Sequence, residues 1–132
     1  MTSGSDLSFT SKDGFLDIRF SGNFSSYERA LTVLLQIVRK CRSASCDGFL
    51  IDATGMTGEV LNVDRFRLML SLARMLPPHI SVAVLVSRER YIPDYLLETI
   101  LRKYEIEGAE FVDRNAAMAW LNRQRETARR AV

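Results

Sequence analysis

The segment DATGMTGE, residues 52 to 59, places two carboxylates, two hydroxyls and two glycines between an apolar run and a helix start. Such groups suit three chemistries: a backbone cradle for phosphate, a hydroxyl that accepts a phosphoryl group, or a carboxylate pair for acid–base work. A cradle needs the GxGxxG spacing or a following lysine, and neither is present. The gap from Gly58 to the helix start near Asn62 also keeps the helix N-terminus away from a phosphate held by the turn. Nucleophilic catalysis needs a base, and His79, the single histidine, stands before the strand at 80–87. That is the amino end of the sheet, whereas Thr54 and Thr57 fall at the carboxyl end. A Ser-His-Asp or Cys-His arrangement would have to span the sheet. Asp52 and Glu59 remain as an acid–base pair, although such residues more often cap turns or face water. No catalytic residue is assigned. A non-enzyme is expected, with a small hydrolase or transferase using the strand-end rim as an alternative.

These groups need a scaffold, and 132 residues suffice for a single domain, 1–132, with its own core. A tail from about 124 to 132 is expected to fray. The balance of 47% hydrophobic and 26% charged residues is that of a globular chain. No apolar run approaches the ~18 residues of a membrane span. The N-terminal MTSGSDLSF has neither a basic region nor an apolar core, so a cytoplasmic location is expected.

Cys41 and Cys46 have the wrong spacing for a zinc pair, and one histidine cannot complete a four-ligand site. Free thiols, no metal and no cofactor are expected. A net charge of +2 is too small to imply nucleic acid. The excess is local, in NRQRETARRAV, where Arg123, Arg125, Arg129 and Arg130 meet one acid, Glu126. This reads as a solvated helix end, or as a peripheral contact with anionic lipid or an acidic protein.

Residues 7–21 read as a hairpin turning at Asp13-Gly14, with Leu16, Ile18 and Phe20 alternating with wet Asp17 and Arg19. A helix follows, capped by Ser25 or Ser26, with Glu28 as the capping-box partner of Ser25. The strand GFLIDA ends at Asp52 and opens into the turn. A second helix is capped near Asn62 and stopped by Pro77-Pro78. The strand at 80–87 comes next, then a helix opened by Pro93-Asp94. Gly108 resets the chain for a strand, AEFV, and Asp113 caps a last helix.

The order ββαβαβαβα predicts an α/β fold with a mostly parallel sheet of 4–5 strands and an antiparallel edge hairpin. In the 80–87 strand, Ile80, Val82, Val84 and Val86 oppose the smaller, half-polar set Ser81, Ala83, Leu85 and Ser87. Helices are therefore expected mainly on one face. The carboxyl-end rim would hold Asn23 and Ser25, then Asp52, Thr54 and Thr57, then Ser87, Arg88 and Arg90, and Asp113.

The segments RFSGNF, FLIDATGMTGE, VDRFRLMLSLARML, ISVAVLV and FVDRNAAMAWL, in this order, resemble the STAS superfamily, and most nearly its SpoIIAA-like branch. The resemblance covers nearly the whole chain and implies a regulatory, non-catalytic domain. In the anti-sigma factor antagonists of that superfamily, a kinase phosphorylates a serine at the entrance of the second helix, which releases a partner. Here the matching positions are Leu61 and Asn62, so the acceptor is missing and no phosphorylation is expected. Thr54 and Thr57 are lesser candidates, since Thr54 stands where many members carry an earlier serine. The SpoIIAA-like branch also resembles lipid carriers in shape, which implies apolar ligands or membranes.

The helix 62–76 carries an apolar arc of roughly 220°, wider than one sheet face requires. Phe66, Leu68, Leu72 and Met75 belong to it, and Leu68, Leu72 and Met75 form the surplus edge. Four roles fit that edge: contact with neighbouring helices, an apolar groove for a small molecule or lipid, a homodimer or partner interface, or a membrane-facing patch. The ligand or partner surface is thus expected at Asp52, Thr54, Thr57, Phe66, Leu68, Leu72, Met75, Arg88 and Arg90.

Overall fold

The computed structural model describes residues 6–12 and 14–130. Strands β1 (Asp6–Lys12) and β2 (Phe15–Asn23) pair antiparallel, and Gly14 between them has φ 88°, a conformation glycine adopts without strain. Its partner in the expected turn, Asp13, lies outside the described residues. Next come α1 (Tyr27–Ser43), β3 (Gly48–Thr57), α2 (Asn62–Met75) and β4 (Ser81–Leu85). A single 3-10 turn at Arg88–Arg90 precedes α3 (Leu96–Arg102), β5 (Glu107–Phe111) and α4 (Arg114–Arg130).

The five strands lie in sequence order, β1-β2-β3-β4-β5, and every pair after the hairpin is parallel. Each crossover therefore steps the same way across the sheet. With the usual hand of such connections, all three linking helices fall on one face. The packing agrees: Val33, Ile37, Leu72, Ala73, Leu97 and Leu101 of α1–α3 share one core with Ile18, Phe49, Ile51 and Val82. On the other face α4 alone covers Phe15, Leu50, Ala83 and Leu85 through Ala117 and Leu121. The expected opposition of Val82 to Ala83 and Leu85 is thus the division between two cores.

Local signals explain the helix ends. Ser26 caps α1, its Oγ accepting from the Arg29 amide at 3.4 Å, so the box expected between Ser25 and Glu28 does not form. Asp113 caps α4 through the Ala116 amide at 3.0 Å, as its position predicts. Asn62 is the first residue of α2 rather than its cap; Leu61 holds that place without a side-chain bond. Gly108 lies within β5, where Leu101 packs against its bare Cα, and does not reset the chain before it.

Three further expectations are corrected. The segment after Asp52 is no turn: β3 continues to Thr57, pairing Gly55, Met56 and Thr57 with Ser21, Gly22 and Asn23 after a register shift. Glycine is required at the shift, because a Cβ on Gly55 would meet Ser21 Cβ at 2.6 Å. Asp17 is not wet but 4% exposed, because α4 lies over its side of the sheet. Leu72 is no surplus edge: it is 5% exposed and part of the main core. Leu72→Ala should cost about 2–5 kcal/mol in a denaturant titration, the range for a truncated core leucine, and Leu72→Glu should abolish folding.

Candidate ligand-binding site

At the carboxyl ends of the strands, β2 and β3 run on together after β3 and β4 have parted at Asp52 and Leu85. The overhang ends at Gly58, where φ is 87° and a Cβ would collide with Asn23 and Ser25. Three segments are tied there. Phe24 N donates to Thr57 O at 2.9 Å, Glu59 N donates to Ser25 Oγ at 3.3 Å, and Arg90 Nη2 donates to Gly58 O at 2.5 Å.

Beneath this knot, between α1, α2 and the sheet, is a cavity of about 590 Å³, a size that suits a small-molecule ligand. Its walls are Ala30, Val33, Leu34 and Ile37 from α1, Leu68, Met69 and Leu72 from α2, and Ile51, Ala53 and Val84 from the sheet. Phe20, Phe24, Met56 and Val60 close the overhang side, and Arg65, Glu110, Glu59, Glu89 and Arg90 add charge at the edges. Arg67 stacks on the Tyr27 ring, 4.0 Å from its centroid, and links α1 to α2. Around the entrance of α2 and the loop before α3, Leu61, Val63, Phe66, Ile92 and Tyr95 are exposed.

Arg65 spans the far wall. It donates to both oxygens of Asp94, at 2.8 and 3.1 Å. This bond holds the Asp94 carboxyl below the usual range. Glu110 Oε1 is 3.7 Å from Arg65 Nη2, and its side chain is 9% exposed. Burial raises the Glu110 carboxyl against the pull of Arg65, with Glu98 and Asp94 adding to the rise. Beside it, Glu98 Oε2 accepts from the Glu110 amide at 3.1 Å, while Glu98 Oε1 is buried without a hydrogen-bond partner.

The opposite face carries a different cluster. Arg114, the first residue of α4, donates to Asp17 Oδ2 at 3.0 Å and Asp52 Oδ2 at 2.7 Å. Asp52 Oδ1 also accepts from the Thr54 amide at 2.9 Å and the Thr54 hydroxyl at 2.6 Å. Burial alone would raise the Asp52 carboxyl; the bonds from Thr54 and Arg114 outweigh it and hold the group below its ordinary value.

The expected site residues therefore divide. Leu68, Leu72 and Arg90 line the cavity. Asp52 and Thr54 belong to the α4 face, and Thr57 and Arg88 are exposed outside the cavity. Phe66 is exposed and Met75 packs against the main core. Asn23 and Ser25 serve the Gly58 knot, and His79 lies at the far end of β4 with φ 66°, its amide donating to Glu105 O at 2.8 Å. Cys41 and Cys46 are free thiols, and burial pushes Cys41 up to about 12. Among the described residues no cluster of His, Cys, Asp or Glu could hold a metal, and no helix is long and apolar enough to cross a membrane. Sequence reasoning missed Asp17, Arg65, Glu110 and Arg114. The available signal was the presence of Asp17 and Asp52 on one sheet face of neighbouring strands.

This architecture is shared with an anti-sigma factor antagonist from Mycobacterium paratuberculosis, with a TM-score of 0.61 at 11% identity over 89% of this chain and 94% of that one. It is also similar to an uncharacterized DUF3478-family protein with a SpoIIAA-like fold from Shewanella loihica, with a TM-score of 0.50 at 18% identity over 92% and 98% of the two chains. The fold is thus SpoIIAA-like. No protein-family model and no curated protein matches the sequence.

Two substitutions separate the clusters. Arg114→Met leaves Asp17 only the 3.3 Å contact with Arg19 and Asp52 only its bonds from Thr54, and should cost about 2 kcal/mol in a denaturant titration at pH 7, below the ~3–5 of a carboxylate left wholly unpaired. Glu110→Gln should do the reverse. A folded carboxyl raised above its unfolded value loses stability as pH climbs from about 4.3 through the folded value. The Gln variant should therefore melt higher than wild type at pH 7, with the gap closing below about pH 4 in a melting series.

Proposed function

We propose that this is a non-catalytic STAS-like domain that binds a small apolar ligand between α1, α2 and the sheet. The observation that carries this is the cavity of about 590 Å³, whose walls are aliphatic and aromatic apart from a few charged groups at the edges. The polar rim supports the non-catalytic part: Asp52, the carboxylate beside Thr54, is already held by Arg114. The entrance to α2 carries Leu61 and Asn62 rather than an acceptor hydroxyl, so no phosphorylation switch operates there.

A second role, docking of a protein partner, is favoured by the exposed Leu61, Val63, Phe66, Ile92 and Tyr95 beside the cavity. The anti-sigma factor antagonist that shares the fold points the same way. The two roles are compatible, since a ligand under α2 would set the position of that surface.

Filling the cavity tests the first role. Ala30→Phe places a ring in the space beside Leu34 and Met69 without removing a core contact. Calorimetric titration with decanol should show saturable binding to wild type and a loss of about ten-fold or more in the variant, at unchanged fold by circular dichroism. No saturable binding to wild type would overturn the proposal.

A further inference from the structure

The charged groups around the cavity are unequal in what they have left to offer. Arg65 is committed to Asp94 through two hydrogen bonds, and Arg90 to the carbonyl of Gly58. Glu110 is the opposite case. Its side chain is 9% exposed and lines the cavity, and the guanidinium 3.7 Å away is beyond hydrogen-bond distance. Among the described residues its carboxyl accepts no hydrogen bond. A carboxyl so little exposed gains more from a direct donor than from the water that still reaches it. Behind it Glu98 presents one buried oxygen without a hydrogen-bond partner. Asp94, Glu98 and Glu110 thus surround the single cation Arg65, and this corner of the wall is net negative.

From this corner we infer the class of ligand: an amphiphile whose apolar body fills the space between α1 and α2 and whose amine end donates to the Glu110 carboxyl. The inference rests on the proposed ligand-binding role and specifies it. An ammonium supplies the missing donors and offsets the acidic excess. At this corner a carboxylate or phosphate head would meet three carboxylates against the one guanidinium of Arg65, since Arg90 lies at the Gly58 edge. The whole chain works against this preference, since its net charge of +2 favours anions at long range. A selectivity for amines would therefore come from the cavity wall and not from the overall field.

Three probes of one chain length test it: decylamine, decanol and decanoate, each below its micelle-forming concentration at pH 7, titrated calorimetrically into the intact chain. Decylamine should bind at least about ten-fold tighter than decanoate, the size of one charge-assisted hydrogen bond closed off from water, with decanol between them. Glu110→Gln should reduce the advantage of decylamine over decanol to less than about three-fold and leave decanol affinity as it was. Glu107→Gln, exposed and outside the cavity, should change none of the three. Decanoate binding as tightly as decylamine, or an unchanged amine preference in Glu110→Gln, would overturn the inference while the apolar site stands. Failure of all three probes, decanol included, would overturn both.

Discussion

Two parallel strands that continue after their neighbour has stopped set the terms for the rest of this molecule. β2 and β3 remain paired to Asn23 and Thr57, whereas β3 and β4 part at Asp52 and Leu85. The added pairing requires a register shift, and the shift requires a residue without Cβ at Gly55. The overhang must then be roofed, because its Phe20 and Met56 point into the same apolar region as α1 and α2. The roof is held by main-chain and side-chain bonds at Gly58 together with the packing of Phe20, Phe24, Met56 and Val60, and the space beneath it stays open. A cavity at this end of the sheet is a consequence of strand length.

The two faces answer the burial of charge in opposite ways. Under α4, Asp17 and Asp52 share Arg114, Arg19 adds a bond to Asp17 and Thr54 adds two to Asp52. Such a closed set of bonds fixes the start of α4 on the sheet and leaves little for a ligand to gain. Under α2, Arg65 gives its hydrogen bonds to Asp94, and Glu110, little exposed, keeps only a 3.7 Å ion-pair contact with it. Stability would favour a neutral residue at Glu110, so a carboxyl there points to use. The same contrast explains why the rim around Thr54 is a poor place for chemistry despite its hydroxyls.

Much of the fold was legible in the sequence, because it depends on local periodicity. The alternation in LDIRF, the helical stripe of YERALTVLLQIVRKC and the apolar run ISVAVL each declare an element and its buried side. The order of those elements then dictates three helices on one face. What was not legible depends on distant partners. ATGMT has the composition of a turn, and only Ser21–Asn23 beside it makes it a strand. Asp17 alternates like a wet residue and is buried by a helix that begins at Arg114. Glu110 sits in a short strand, and its isolation follows from Arg65 choosing Asp94. Leu68 was recognised as excess apolar surface on α2, but the cavity it lines also needs α1, which no pattern within α2 reveals.

The central claim is that the open space lies between the overhang, α1 and α2, and that an apolar molecule occupies it. The most direct measurement is nuclear Overhauser contact between protonated decanol and methyl-labelled, otherwise deuterated protein. Cross-peaks to Leu34, Ile51, Leu68 and Val84, with none to Leu85 or Leu121 beneath α4, are the predicted result. Cross-peaks confined to Leu85 and Leu121, or to no methyl at saturating decanol, would contradict the account.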